Sequence, residues 1–477
     1  MAHLLASAAL QAYGDVKKRT IPMYGPPADP RQRIAPVEIF DVPEAYLLCG
    51  AIGLLVSLAA LWRGPDVRLR AALFVLGQSI LLTAPLATFL DTWMYGSYPT
   101  IDKAGSLVFY LDGVHTRMLA DPILSLQDPA ARLIGVHIGH LWVTAAFDLI
   151  LSPMGAFNAQ ALLYPALGWY CAFLLFHEVT EQPRASLLMA FPFGMGLHVF
   201  RDLNWYTIEK AAIFWIPLFL WACYRAWRDG GRWRLVTGLI LALTTWMNVY
   251  LGMLNAMMLG LTVLALWMSN DRHRIRFLKT AVIAALCIAP LAIWQWLLMH
   301  NGPQLATPEE FLWSRAALDS FTLDPLRWNR LEVHRSLNVV ALGTALWGLK
   351  RSRWVGIVRL SSVSALVFFF LSLGPVALGI ENPLYMAARA VIPGFWRIAK
   401  PEVFFHMTWL LLLGIAAVQA GRAGWGRRLT AGLYGLFVIA WLIMVRTHPA
   451  YPPMTVYQPS KLSKGWEDRV FSTPESE

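Results

Sequence analysis

Apolar runs about as long as a bilayer is thick recur along this chain, separated by short arginine-rich turns. A helix needs about 20 mostly apolar residues to cross the hydrocarbon core. Scanning with that length gives about twelve candidate spans. They lie near 45–62, 70–90, 156–176, 185–200, 211–228, 233–250, 252–269, 279–299, 336–350, 360–380, 402–420 and 429–446. Pro192, Gly194 and Gly196 interrupt the fourth, and 336–350 is barely long enough; eleven spans is the alternative, reached if the first candidate turns back within the interface. Composition supports the same reading. Of 477 residues, 57% are hydrophobic and 14% charged, whereas a soluble domain carries about a quarter charged residues. An ordinary soluble enzyme, a disordered chain and a collagen-like chain are excluded. The expected fold class is all-α: a polytopic integral membrane protein of about eleven or twelve transmembrane helices.

The charges sort by side. Arg63/Arg68/Arg70, Arg225/Arg228/Arg232/Arg234, Arg272/Arg274/Arg276/Lys279, Lys350/Arg351/Arg353/Arg359 and Arg422/Arg427/Arg428 fall in connections that strict alternation puts on one face. Short basic loops mark the cytoplasmic side. Residues 91–155, 300–335, 381–401 and the tail then face outward, with more acids, prolines and aromatics. The chain divides into a juxtamembrane segment (1–44), a transmembrane domain (45–446) and a tail (447–477). The long outer loop 91–155 is expected to form interfacial helices. Lys17, Lys18, Arg19, Arg31 and Arg33 fall on the outer side, farther from a span than the charges that set orientation; a first segment that turns back within the interface is the alternative. The excess of 40 Lys plus Arg over 29 Asp plus Glu is read as lipid-facing anchorage, not as nucleic-acid binding, because no basic soluble module accompanies it. Cys49, Cys171, Cys223 and Cys287 sit inside apolar blocks with no paired spacing and read as packing residues. Met1–Gly14 has no base ahead of its apolar run, unlike a cleaved signal peptide.

Ionisable groups at the mouth of a membrane domain need a partner, water or a role. Asp91 follows the second block and precedes Trp93, Tyr95 and Tyr98. It is either a carboxylate solvated at a helix end or a general base or metal ligand, with Asp102 and Asp112 as further carboxylates. His137 and His140 share a helix face; core or interfacial packing is the plainer reading and phosphate contact the other. His198 and Arg201 end the fourth block, and Glu209 with Lys210 opens the fifth. They form local pairs or a phosphate site. Arg397 and Lys400, in Pro393-Gly-Phe-Trp-Arg-Ile-Ala-Lys-Pro, are snorkelling anchors or ligands of an anionic headgroup. No Walker A, GxGxxG, GxSxG or EF-hand signature is present.

Taken in order, several segments resemble the GT-C-type polytopic membrane glycosyltransferases. They are the helix ending at Asp91 with its long outer loop, Gly155-Ala-Phe-Asn158, Leu167-Gly-Trp-Tyr, Ile208-Glu-Lys, Phe214-Trp-Ile-Pro217-Leu, Trp246-Met-Asn-Val-Tyr250, Leu371-Ser-Leu-Gly-Pro375 and Ile392-Pro-Gly-Phe-Trp-Arg397. The correspondence covers roughly 70–420. The resemblance implies transfer of a sugar from a polyprenyl-phosphate carrier to an outer-face acceptor, in a bacterial inner membrane with the active face outside. It implies Asp91 as base, with Asp102 and Asp112 behind it. His137, His140, His198, Arg201, Glu209, Lys210, Arg397 and Lys400 would contact carrier phosphate or substrate, and Trp93 and Trp142 the sugar. A divalent cation, Mg or Mn, membrane lipids and further membrane proteins are the implied cofactor and partners. The chain departs from the family in having no adjacent acidic pair in the first outer loop. A catalytically inactive subunit of a membrane assembly, and a carrier or solute transporter gated at Pro192/Gly194/Gly196, are the alternatives.

Overall fold

The computed structural model describes residues 43–60, 66–84, 87, 94–95, 138–151, 153–204, 208–269, 271, 273–300, 356–377, 380–392, 395, 401–447 and 456–457. These residues are predominantly helical. The expected span at 336–350 lies outside them.

The first two helices, α1 (Pro43–Ala59) and α2 (Val67–Leu82), pack as a hairpin. Gly53 and Gly77 let their backbones approach, since a Cβ on Gly53 would stand 2.6 Å from the Gly77 carbonyl. Asp66 caps α2 by accepting the Arg68 N–H at 2.8 Å. A short strand β1 (Met94–Tyr95) and helix α3 (Ile138–Asp148) precede α4 (Pro153–Thr180), the longest described helix at 28 residues.

Helix α4 is the axis of the molecule. It packs against α2, α3, α5 (Pro183–Gly194), α8 (Trp215–Arg228) and α14 (Phe404–Arg422). Ala156, Ala159, Ala161, Ala166 and Ala172 are buried along it, and small residues are what closely packed apolar helices place at their crossings. The α4–α5 crossing is the tightest: a Cβ on Gly194 would overlap the Trp169 backbone. The expected break in the 185–200 block follows, where α5 stops at Gly194 and α6 (Leu197–Asn204) starts after Met195 and Gly196. A single turn, α7 (Ile208–Ala211), leads into α8.

Asp229, Gly230, Gly231 and Arg232 join α8 to α9 (Trp233–Met247). Asn248 then ends α9 and caps α10 (Val249–Met268) by accepting the N–H groups of Tyr250 and Leu251. The second half continues with α11 (Arg274–His300), α12 (Gly356–Ser372), the strands β2 (Val376–Ala377) and β3 (Ile380–Glu381), and α13 (Pro383–Val391). It closes with a 3-10 turn (Pro401–Val403), α14, α15 (Arg427–Thr447) and β4 (Val456–Tyr457). β2 pairs antiparallel with β3. β1 pairs antiparallel with β4, Met94 opposite Tyr457 and Tyr95 opposite Val456, which ties the segment after α2 to the tail.

Among the described residues four helices are long and apolar enough to cross a membrane: Gly155–Thr180, Val249–Met268, Arg274–Ile293 and Phe404–Arg422. Tyr46–Ala59, Trp233–Met247 and Gly356–Ser372 are shorter apolar helices. Burial separates them into two kinds. The apolar windows of α4 and α14 are each 72% buried, against 33% for α10 and 17% for α11. Similar sequences therefore fill the core in one case and present apolar surface in the other. Leu47, Leu54, Leu55 and Leu58 on α1, Leu235, Leu239 and Leu243 on α9, and Leu278, Val282, Leu286 and Ile293 on α11 are all exposed. Exposed apolar surface on this scale is unfavourable in water and favourable against hydrocarbon.

Candidate functional site

Side-chain contacts fix which helix ends lie together. Arg68 at the start of α2, Glu178 near the end of α4 and Arg225 and Arg228 at the end of α8 meet at one end. Gly421 near the end of α14 also lies there, against Thr180 and Gln182. The opposite end therefore holds the end of α2, the starts of α4 and α14, and the α5–α6 break, where Ser79 Oγ lies 3.9 Å from Met195 Sδ.

Seven of the sequence-predicted site residues, Asp91, Trp93, Asp102, Asp112, His137, Arg397 and Lys400, lie outside the described residues. Their immediate frames are described. β1, just after Asp91 and Trp93, contacts α4. Phe395, two residues before Arg397, is fully buried between Tyr385, with ring centroids 5.0 Å apart, and Phe404 at 5.4 Å. The 3-10 turn at Pro401 follows Lys400 directly and packs on α12 and α14. Phe395 and Pro401, the described residues that flank 396–400, are thus packed at the end away from the arginines. Burial pushes the Tyr385 hydroxyl up to about 12, so it stays neutral and serves as packing.

His198 is buried at the start of α6, its ring 5.1 Å from that of His406 on α14 and 6.3 Å from Phe193. Gly196 permits this, because a Cβ there would collide with the His198 ring. His406 had no motif around it in the sequence, and only the packing of α6 near the start of α14 brings it to His198. Arg201 lies on α6, Glu209 and Lys210 on α7, and these two short helices contact each other; α7 also touches α4. Lys210 is half-buried.

His140 is fully buried between α3 and α4 in a chain of hydrogen bonds. Tyr164 donates its hydroxyl to Gln160 Oε1 at 2.8 Å, and Gln160 Nε2 donates to Thr144 Oγ1 at 2.8 Å and to the Ala156 carbonyl at 3.1 Å. Thr144 donates to the His140 carbonyl at 3.0 Å. With the tyrosine proton already committed, His140 Nδ1 at 3.1 Å is the donor to the phenol oxygen, which sets the imidazole tautomer. Its place is in the α3–α4 packing. Trp142, two residues along, is half-buried with its ring 6.4 Å from Trp246.

The arginine-rich end carries a residue that sequence reasoning missed. Glu178, its side chain 7% exposed, accepts Arg68 at 3.0 Å, Arg225 at 3.2 Å and Arg228 at 2.6 Å. Asp229 pairs with Arg225 at 2.9 Å and with Arg228 at 2.8 Å. The hydrogen bond from Arg228 holds the Asp229 carboxyl below the usual carboxylate range. The available signal was an acid at the arginine-facing end of an apolar helix, a place where a carboxylate needs a cationic partner.

Among the described residues no three His, Cys, Asp or Glu side chains converge as metal ligands. The carboxylates expected to hold a divalent ion, Asp91, Asp102 and Asp112, lie outside those residues. No known family, no curated protein and no solved structure matches the chain.

Proposed function

We propose that the chain is a polytopic membrane protein of GT-C-like architecture that moves a sugar from a polyprenyl-phosphate carrier to an acceptor on the face opposite its arginine-rich end. The observation that supports this reading is that described residues flanking its two expected active segments rest on neighbouring helices. The frames of 91–98 and 393–401, namely β1 against α4 and Phe395 against Phe404, belong to α4 and α14, which pack on each other. The starts of both helices lie at the same end. In this reading Asp91 takes the acceptor proton, with Asp102 and Asp112 as neighbouring carboxylates. His198, Arg201, Arg397 and Lys400 hold the carrier phosphate, and Trp93 and Trp142 stack on sugar. A divalent cation, if used, would bind the carboxylates and neutralise phosphate charge.

The sidedness follows from the basic turns, which face the cytoplasm in bacterial inner-membrane proteins. The exposed apolar faces of α1, α9 and α11 are consistent with lipid contact. A transporter gated at the α5–α6 break is less well supported. Met195 is fully buried and Gly194 sits directly on the Trp169 backbone, so opening there would disrupt the densest crossing described.

The test is transfer of labelled sugar from a polyprenyl-phosphate donor in membranes containing the protein. Asp91→Asn is expected to lower the rate by about 100-fold or more with unchanged membrane content. Full activity in that variant would remove Asp91 from the chemistry. Absence of transfer by the unaltered protein across hexosyl and pentosyl donors would overturn the reading itself.

A further inference from the structure

We propose that the arginine-rich end contains a binding site for an anionic phospholipid, formed by Arg232, Arg234 and Arg276 at the ends of α9 and α11. The proposal rests on the membrane reading and is independent of sugar transfer.

The charge balance at this end is uneven. Arg68, Arg225 and Arg228 are occupied by Glu178 and Asp229. Among the described residues no carboxylate pairs with Arg232, Arg234 or Arg276. The nearest acid of the next turn, Asp271, accepts the His273 N–H at 2.6 Å. Arg234 and Arg276 are nevertheless held close together, and Arg232 belongs to the same turn. Gly230 and Gly231, with φ of 67° and 53°, make the tight reversal between α8 and α9. The side chains of Arg234 and Arg276 both lie over Gly230, where a Cβ would stand 3.3 Å from each. Arg276 Nη1 donates to the Arg228 carbonyl at 3.1 Å, which fixes that guanidinium from α11 beside the turn. Arg232 lies over the Trp233 ring at 6.0 Å. Arg234 Nε is buried with no hydrogen-bond partner. Adjacent cations and an unsatisfied buried donor call for an anion, and a phosphate diester matches the guanidinium fork.

What lies beside the cations selects a lipid over a soluble phosphate. Leu235 and Leu239 on α9 are 52% and 49% exposed, and Leu278 and Val282 on α11 are 38% and 52% exposed. Each apolar stripe starts within a turn of its arginine, so a phosphate at the guanidinium groups would leave two acyl chains running along hydrocarbon-facing leucines. A zwitterionic headgroup brings its own cation toward the arginines. An anionic one, such as phosphatidylglycerol, does not.

The experiment is native mass spectrometry of the purified full-length protein titrated with phosphatidylglycerol, phosphatidylcholine or inorganic phosphate. The unaltered protein is expected to retain phosphatidylglycerol about tenfold more tightly than phosphatidylcholine. Arg232→Gln/Arg276→Gln should abolish that preference, since about fivefold per charge over two charges exceeds it. Arg427→Gln/Arg428→Gln, at a different basic turn, should keep it. Equal retention of both lipids, an equal loss in the control pair, or displacement of phosphatidylglycerol by millimolar inorganic phosphate would overturn the assignment. Should the first pair fail to fold, the unaltered protein still decides the matter by photo-crosslinking to phosphatidylglycerol with a diazirine in the acyl chain. Adducts are expected within 235–243 and 278–286, and adducts confined to other helices would overturn it.

Discussion

Glu178 gathers guanidinium groups from two other helices at a point where α4 leaves the apolar core, and its removal is the most informative single change at residue scale. Glu178→Gln leaves Arg225, which is 19% exposed, with Asp229 as its remaining carboxylate, while Arg68 and Arg228 at 43% and 39% recover solvation. The expected cost is about 2 kcal/mol, near the low end for breaking a buried pair, read as a lowered midpoint of unfolding in denaturing detergent. Asp229 behaves differently because it is more exposed. Its folded-state pKa is depressed, so its stabilisation is present above the ordinary carboxylate range and is lost as pH falls through the lowered value. The stability difference between the unaltered protein and Asp229→Asn should therefore be constant above about pH 5 and shrink below about pH 4. Glu181 is a third case, holding a left-handed φ of 57° in the turn between α4 and α5. Glu181→Gly relieves that conformation and is expected to stabilise the protein by about 0.5–1 kcal/mol in the same unfolding measurement.

At the scale of elements, the α4–α5 crossing sets the bundle. Gly194→Ala places a methyl group against the Trp169 backbone, which cannot yield as a side chain end would. A loss of about 3 kcal/mol is expected, seen as reduced folded yield and a lower unfolding midpoint. The helices themselves were largely legible in the sequence. The apolar runs and the Pro192–Gly196 interruption act through near neighbours along the chain; the caps Asp66, Asn248 and Asn382 do so too, but the sequence reading did not single them out. The pairings were not legible. Arg68 and Glu178 are 110 residues apart, His198 meets His406 through packing alone, and β1 with β4 joins two-residue strands from distant parts of the chain. None of these contacts leaves a spacing in the sequence. The basic turns were read as lipid-facing anchorage, whereas Arg68, Arg225 and Arg228 pair with carboxylates. His140, for which packing was the plainer reading, sits in the hydrogen-bond chain through Tyr164, Gln160 and Thr144.

For the whole molecule, the account rests on two chemically different ends separated by an apolar body. Ile150, 84% exposed in the α3–α4 turn, marks the end opposite the arginines. Gly426, with open space around it in the α14–α15 turn, marks the arginine-rich end. Cys49, Cys171 and Cys223 are buried and Cys287 is partly covered, so native thiols give little background to an impermeant label. The decisive measurement is maleimide labelling of Ile150→Cys and Gly426→Cys in intact cells and in permeabilised cells. Ile150→Cys is predicted to react in intact cells and Gly426→Cys only after permeabilisation. Equal reactivity of the two positions in intact cells, or the reverse order, would contradict the two-sided membrane bundle on which the functional reading depends.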